Sequence, residues 1–316
     1  MSHYGMGRRE RRGNTMNDDT WTSVGAVLEA MAGQQYIADR SIAMAVFLAA
    51  KLEKPLLIEG EPGCGKTEIA KVLATATGAD LIRLQCYEGL DAMSALYEWN
   101  YPKQLLTIRL REANRTTEEL EADVFSDRFL LERPLLRALR GTPSRRPVLL
   151  IDEIDRADEE FEGLLLEILS DFQITIPEVG TVTAKRRPNV VLTSNRTREL
   201  HDALKRRCLF HWIGHPVLER EIEIVLLRVP GIPERLAAQV ASFVQGLRRL
   251  DLAKPPGVAE TIDWAHALAA LGRQELDAEI VESTLGSVLK YHEDFESVRD
   301  DYLTQLVEEA RAVRAG

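Results

Sequence analysis

The chain has 316 residues, of which 45% are hydrophobic and 28% charged, the composition of an ordinary globular protein. These proportions exclude collagen-like, wholly disordered and disulfide-framework classes. With 50 acidic against 40 basic side chains, the formal net charge of −10 opposes sequence-independent binding along the phosphates of a nucleic acid.

The pattern near the start of the chain, residues 1–20, predicts a mobile tail. Four arginines there lack the following apolar stretch that a secretory signal requires.

The longest apolar run, 42–50, is far shorter than the roughly 20 residues that cross a bilayer. Three cysteines without CxxC spacing favour a reducing compartment. We expect a cytoplasmic protein without a transmembrane segment, and peripheral membrane attachment is left open.

Hydrophobic periodicity then predicts an alternation of helices and strands. Two helices are expected between Trp21 and Glu53, and a further helix over 68–77. Short apolar runs at 55–58, 81–84, 148–151, 189–193 and 209–213 are typical of buried strands. Buried strands separated by helical patterns predict an α/β fold with a parallel five-stranded sheet that is covered on both faces.

Two segments interrupt this alternation. Residues 85–147, with a charged amphipathic stretch at 109–121, are too long for one crossover helix. Residues 173–184 are expected to form a short hairpin.

The pattern after Pro216 is helical throughout. Helices are expected near 217–229, 233–250, 261–271, 277–290 and 295–313. With a boundary near His215, the chain is predicted to comprise a tail (1–20), an α/β core (21–215) and a helical domain (216–316).

A glycine-rich motif follows the first predicted strand. Residues 60–67, GEPGCGKT, match GxxxxGK[ST] in full between a strand and a helix. Backbone N–H groups converge on phosphate in such a turn, and the helix amino terminus adds partial positive charge. Lys66 is expected to reach the β and γ phosphates and the Thr67 hydroxyl to ligate Mg²⁺. An ordinary glycine-rich turn is the alternative. The predicted nucleotide-binding residues are Gly60, Glu61, Pro62, Gly63, Cys64, Gly65, Lys66, Thr67 and Glu68.

Two acids end the third predicted strand. Asp152 is expected to hold Mg²⁺ and its waters, and Glu153 to polarise a water for attack on the γ phosphate. A helix-capping acidic loop is the alternative interpretation of this pair. Asp155 and Asp158, with Glu159 and Glu160, are interpreted as capping and first-turn charges of the next helix, without a chemical role.

A polar side chain also follows the fourth strand. Asn195 lies where α/β sheets place ligands, and it is expected to hold the attacking water. Taken alone, it is equally typical of a turn.

Together these motifs resemble the AAA+ ATPases, and within them the MoxR family. The resemblance covers about residues 22–310 and is carried by GEPGCGKT, by LLIDEID, by the Asn195 strand end and by ALKRRC at 203–208. Longer stretches at 83–101, 164–182 and 193–208 are similar to the CoxD-type accessory ATPases of aerobic carbon monoxide dehydrogenase. The resemblance implies a P-loop αβα sandwich with a helix-2 insert, a pre-sensor-1 hairpin and an all-helical lid.

The resemblance also implies a ring oligomer, usually a hexamer, that binds ATP and Mg²⁺ between adjacent subunits. Arg207 matches the position of the arginine that acts on the neighbour's nucleotide, and Arg206 is the second choice. A planar, permanently charged guanidinium suits phosphate oxygens. A solvated helix end is the alternative for these arginines. Family lids commonly present an arginine where residues 257–264 contain no basic residue, and the nearest cations in the sequence are Lys254 and Arg273.

The expected function is ATP-driven remodelling, with hydrolysis of ATP to ADP and phosphate. By resemblance, the client is a molybdenum hydroxylase such as carbon monoxide dehydrogenase, whose metal-sulfur centre needs completion, and a VWA-domain adaptor is a partner. A DNA-acting motor and a slow nucleotide-dependent binding module are the alternatives. The acidic balance disfavours the first, so no nucleic-acid partner is expected, and the intact Glu153 disfavours the second.

Overall fold

The computed structural model describes residues 21–111, 123–142 and 145–313. The predicted tail therefore lies outside the described residues, as does most of the amphipathic stretch at 109–121. The strands are β1 (Leu56–Gly60), β2 (Leu81–Gln85), β3 (Tyr97–Trp99), β4 (Leu130–Glu132), β5 (Val148–Asp152), β6 (Gln173–Ile176), β7 (Gly180–Thr183), β8 (Asn189–Ser194) and β9 (Leu209–Ile213).

Helices precede, separate and follow these strands. They are α1 (Val24–Gly33), α2 (Arg40–Leu52), α3 (Lys66–Thr77), α4 (Ala92–Leu96), α5 (Tyr101–Arg111), α6 (Pro134–Arg140), α7 (Glu159–Asp171), α8 (Asp202–Arg207), α9 (Leu218–Arg228), α10 (Glu234–Leu247), α11 (Val258–Ala270), α12 (Ala278–Thr284), α13 (His292–Ser297) and α14 (Leu303–Ala312). Short 3₁₀ turns occur at Asp127–Phe129, Ile154–Arg156 and Leu285–Ser287, and a π turn at Val298–Tyr302.

The central sheet has five strands in the order β2-β5-β8-β1-β9, and every neighbouring pair is parallel. The predicted parallel sheet is confirmed. Along β1, Leu57 contributes to the apolar core on one face, whereas Leu56 and Ile58 contribute to the core on the other face. This alternation, which follows from the pleat of a strand, explains why β1 and β5 are buried along their whole length.

Both interruptions of the alternation form antiparallel ribbons. Strand β3 pairs with β4 inside the long insertion, and β6 pairs with β7 as the expected hairpin. The C-terminal helices, α9 to α14, share an apolar core that includes Phe243 and Trp264, whose ring centroids are 5.2 Å apart. Among the described residues, no helix is both long and apolar enough to cross a membrane.

The helices expected in the C-terminal region are present, but four of them have different bounds, and the one expected at 233–250 ends at Leu247. Helix α11 begins at Val258 rather than at 261, because Gly257 N–H donates to the Glu260 carboxylate at 2.9 Å and caps the helix earlier. The helix expected at 277–290 ends at Thr284. The helix expected at 295–313 is divided into α13 and α14 by the π turn.

Candidate nucleotide site

The glycine-rich motif forms the turn between the end of β1 and the start of α3. Gly65 has a φ of 84° and directly precedes the first helical residue, Lys66. Glycine adopts this left-handed conformation without a steric penalty, so the chain can enter α3 abruptly. The motif therefore places backbone N–H groups of the helix amino terminus beside the cleft, as phosphate binding requires.

The Lys66 side chain lies against the turn that precedes it. Its ammonium Nζ donates to the carbonyl oxygens of Gly60 and Glu61, both at 2.8 Å. Burial lowers the pKa of this amine, and nearby anionic groups, Asp155 and Asp152 among them, oppose that shift. Two carbonyl acceptors hold the cation at the glycine-rich turn.

The structure brings the strand-end aspartate and the glycine-rich motif together. Thr67 Oγ1 donates to Asp152 Oδ1 at 2.9 Å, and Thr193 Oγ1 donates to the same oxygen at 2.6 Å. Asp152 is buried at the end of β5, between β2 and β8. A hydroxyl and a carboxylate oxygen in contact are the ligand types that Mg²⁺ takes from protein. The donor set therefore fits a magnesium ion.

Glu153 follows Asp152 in an unusual backbone conformation. Its φ is 55°, in the left-handed region that a non-glycine residue adopts only when its surroundings hold it there. Its N–H donates to Thr193 Oγ1 at 2.9 Å, and its carboxylate accepts from Gln85 Nε2 at 3.1 Å and forms an ion pair with Arg156 at 2.9 Å. These contacts fix the carboxylate at the rim of the same cleft.

Asn195 also lines that cleft, and the residue that positions it is Asp155. Asp155 Oδ1 accepts from Asn195 N–H at 3.2 Å, and Oδ2 accepts from Thr197 N–H at 2.9 Å. The interpretation of Asp155 as a helix-capping charge is wrong, because its side chain is buried and ties the β5 end to the β8 end. Asp158 is the cap of α7, as predicted, since it accepts from Phe161 N–H.

These groups surround a cleft of about 640 Å³, in the size range of small-ligand sites. The α1–α2 connection and the C-terminal helices supply the other walls. Within the cleft, Cys64 Sγ lies 3.5 Å from His215 Nδ1. Burial raises the pKa of the Cys64 thiol to about 11 and lowers that of His215, so both are neutral near pH 7.

Residues 55–208 match the family model for the AAA domain of the dynein-related subfamily. This segment is an AAA+ domain. It begins just before β1, contains the glycine-rich motif, Asp152, Glu153 and Asn195, and ends at Cys208, just before β9.

Curated relatives match parts of the chain. The chain is 31% identical over 189 residues to the uncharacterized protein SH1500 of Staphylococcus haemolyticus, covering 56% of this chain and 62% of that protein. It is 29% identical over 133 residues to the Lon protease of Halothermothrix orenii, covering 40% of this chain and 14% of that protein. The chain thus spans less than two thirds of each relative's length.

Solved structures similar to the chain include the Holliday junction branch migration motor RuvB of Thermotoga maritima, at 18% identity and a TM-score of 0.43. That match covers 87% of this chain and 81% of RuvB. A mutant of the same RuvB matches at 16% identity and a TM-score of 0.46, covering 93% of this chain and 86% of the other.

Arg207 lies at the opposite edge of the AAA+ domain from the glycine-rich motif. It precedes Leu209, which pairs with Leu56 at the start of β1, whereas the motif begins at Gly60, the last residue of β1. The four residue steps along β1 from Leu56 to Gly60 correspond to roughly 13 Å. Arg207 Nε donates to Ser170 Oγ at 2.8 Å, and Arg206 is exposed beside it. Neither guanidinium is therefore placed to touch a phosphate held by its own chain.

The C-terminal helices contact the glycine-rich motif of the AAA+ domain directly. Ala259 N–H, in the first turn of α11, donates to the Gly63 carbonyl at 3.2 Å. Two arginines of α9, Arg220 and Arg228, also line the cleft. Arg220 pairs with Asp39 at 3.1 Å, and Arg228 lies 3.8 Å from Glu68. The sequence expectation concerned residues 257–264 and did not include this pair, although a spacing of about two helical turns on α9 places both arginines on one face of the helix.

Proposed function

We propose that this chain is an ATPase that hydrolyses ATP to ADP and phosphate with Mg²⁺. The observation that carries the proposal is the Thr67 to Asp152 hydrogen bond at 2.9 Å, which joins the glycine-rich motif to the acidic end of β5. This contact places the groups that would bind phosphate next to the groups that would bind the metal.

Five residues of the cleft have a role in this proposal. Lys66 leaves its carbonyl partners to neutralise the β and γ phosphates, and Thr67 Oγ1 with Asp152 Oδ1 holds the metal. A magnesium ion held there would supply positive charge to offset the charge that develops on the phosphates. Glu153 accepts a proton from the attacking water, and Asn195 orients that water with its side-chain amide.

The first test is ATP binding measured by calorimetry, in Mg²⁺, for the parent chain and Lys66→Ala. Loss of the ammonium removes the cation that faces the phosphates, so we expect binding to fall below detection. Lys71→Ala is the matched control, because Lys71 lies on the same helix, is exposed and pairs with Glu68 at 3.1 Å. Parent-like ATP affinity in Lys66→Ala would contradict the proposed role of Lys66 in binding the phosphates.

We further propose that the chain assembles into a ring, with Arg207 acting on the nucleotide of the neighbouring subunit and Arg206 as the second choice. The separation of Arg207 from its own glycine-rich motif supports this role, since an arginine at that edge reaches a phosphate only on another chain. A hexamer is the expected size. In this proposal the core (21–215) and the helical lid (216–316) form the two walls of the site within each subunit.

The finer proposal is a MoxR-type chaperone or remodelling ATPase with a protein client. It rests on the similarity of the stretches at 83–101, 164–182 and 193–208 to CoxD-type proteins. Helix α5 in the long insertion presents exposed apolar side chains, which favours contact with protein over contact with phosphates. They are Tyr101, Leu105, Leu106 and Leu110. The proposed client is a molybdenum hydroxylase such as carbon monoxide dehydrogenase, the proposed adaptor a VWA-domain protein, and the proposed compartment the cytoplasm.

Capture of partners by the Glu153→Gln chain tests the finer proposal. A carboxamide cannot accept the proton of the attacking water, so the ATP-bound form should persist. We expect this form, with ATP and Mg²⁺, to retain the adaptor and the molybdenum hydroxylase from cells that produce both, while Lys66→Ala retains neither. ATP-dependent retention of DNA in a low-salt gel shift would instead favour the DNA-acting motor.

A further inference from the structure

Arg83 on β2 occupies the second oxygen of the buried aspartate. Strand β2 lies at the edge of the sheet beside β5, with Gln85 opposite Asp152. Arg83 Nε and Nη2 both donate to Asp152 Oδ2, at 3.0 and 2.6 Å. The other oxygen, Oδ1, accepts from Thr67 and Thr193. Both carboxylate oxygens of Asp152 are therefore engaged.

The charge of Asp152 explains why a cation is needed at this position. Its side chain is 3% exposed, and a buried carboxylate without a positive partner is strongly unfavourable. The Lys66 ammonium is directed at the carbonyls of Gly60 and Glu61, and Arg156 pairs with Glu153. The Arg83 guanidinium is the ion-pair partner that the structure gives Asp152.

The position of Arg83 also allows it to leave. Its side chain is 51% exposed at the sheet edge, and ion pairs of partly exposed side chains are weak. Breaking this pair and moving the guanidinium into water therefore costs little free energy. A divalent ion at Thr67 and Asp152 would bring its own positive charge to the carboxylate and make the guanidinium redundant. A metal and Arg83 therefore compete for the same negative charge.

We propose that Arg83 is a placeholder cation for Mg²⁺, which neutralises Asp152 before metal binds and releases it when metal arrives with nucleotide. This inference rests on the proposed function, since it takes the metal site of that proposal as given. Removal of Arg83 should therefore change ATP affinity in opposite directions without and with metal. Without metal, the bare Asp152 carboxylate repels the triphosphate and ATP binding weakens; with Mg²⁺, the competitor is absent and binding tightens.

The test is the dissociation constant of ATP, measured by calorimetry in EDTA and in Mg²⁺, for the parent chain and Arg83→Ala. We expect about threefold weaker binding in EDTA and about threefold tighter binding in Mg²⁺, the size of effect that one partly exposed ion pair supplies. The ratio of the two constants should rise about tenfold. Arg83→Lys keeps the charge but not the paired N–H donors, and its ratio should lie between the two.

Arg235→Ala is the matched control, because Arg235 is 58% exposed and pairs with Glu275 at 2.7 Å in the C-terminal helices. It removes the same charge, and its ratio should equal that of the parent. A purely structural role of Arg83 would shift both constants in the same direction. That result, or a ratio within twofold of the parent, overturns the inference while leaving the proposed function intact. A parent chain that binds no ATP in either condition overturns both.

Discussion

Replacement of Gly257 by alanine tests the contact between α11 and the glycine-rich motif. Gly257 has a φ of −84° and a ψ of −176°, which alanine adopts without strain. A Cβ atom at this position, however, would lie 2.6 Å from the Pro62 carbonyl oxygen and 2.9 Å from Gly63 Cα. Both are backbone atoms of the motif, so no side-chain rotation relieves the clash.

The size of the effect follows from this geometry. Forcing an extra methyl group into a close-packed contact costs about 1–3 kcal/mol. If the nucleotide is held between α11 and the motif, that cost falls on the binding-competent arrangement. The dissociation constant of ATP should then rise about five- to 150-fold. Loss of glycine as the helix cap adds only a few tenths of a kcal/mol to about 1 kcal/mol to the cost in folding.

Calorimetric titration with ATP and Mg²⁺ measures this change, with the melting temperature as a separate readout of folding. Gly286→Ala is the control, because Gly286 also lies in the C-terminal helical region and a Cβ there would meet no atom within 4 Å. It should bind ATP like the parent. An unchanged dissociation constant for Gly257→Ala would refute the claim that α11 must touch the motif when nucleotide is bound.

Three further predictions concern catalysis, assembly and pH. Glu153→Gln should keep ATP binding and lower steady-state turnover roughly 100-fold or more, and parent-like turnover would reject Glu153 as the base. Arg207→Ala subunits mixed with Glu153→Gln subunits should recover ATPase activity, because one mixed interface combines an intact Arg207 with an intact Glu153; no gain over either variant alone would place Arg207 outside the neighbour's site. Burial alone would raise the pKa of Asp39, but hydrogen bonds from Ser41, Ile42 N–H and Arg220 outweigh it and lower the pKa from 3.8 to about 2. The stability that Asp39 contributes is therefore complete above about pH 4 and lost as the pH falls towards 2, so Asp39→Asn should show a smaller drop in melting temperature over that interval; an equal drop would contradict the assignment.

The sheet and the glycine-rich motif were predictable because their signals are local. Buried strands with helices on both sides are continuous apolar runs, and the P-loop is a contiguous string with a strand before it and a helix after it. Asp152 and Thr67 are far apart in sequence, but both lie at carboxyl ends of parallel strands or directly after them. Their contact followed from that general rule of α/β sheets.

The contacts that sequence reasoning missed depend on which strands and helices become neighbours. Nothing near Arg83 indicates that β2 would lie beside β5, and only that register brings its guanidinium to Asp152. The alternation along β2 indicates only that Arg83 and Gln85 share one face, while Ile82 and Leu84 are buried on the other. It does not indicate which strand lies next to them.

Asp155 was misassigned for a related reason. An acid just before a helix is usually a cap, and here the next acid, Asp158, has that role. Asp155 instead binds a loop 40 or more residues away, at Asn195 and Thr197. The early start of α11 was missed because its cap is Gly257 with Glu260, without the usual serine, threonine or aspartate.

Phosphate release from ATP by the purified chain tests the central claim most directly. The assay compares the parent chain in Mg²⁺ and in EDTA with Asp152→Asn, using the exposed Asp251 in Asp251→Asn as the matched control. We expect steady release that requires Mg²⁺, persists in Asp251→Asn, and falls at least tenfold in Asp152→Asn because the metal loses its anionic ligand. Release by Asp152→Asn at the parent rate, or no Mg²⁺-dependent release by the parent chain, would contradict it.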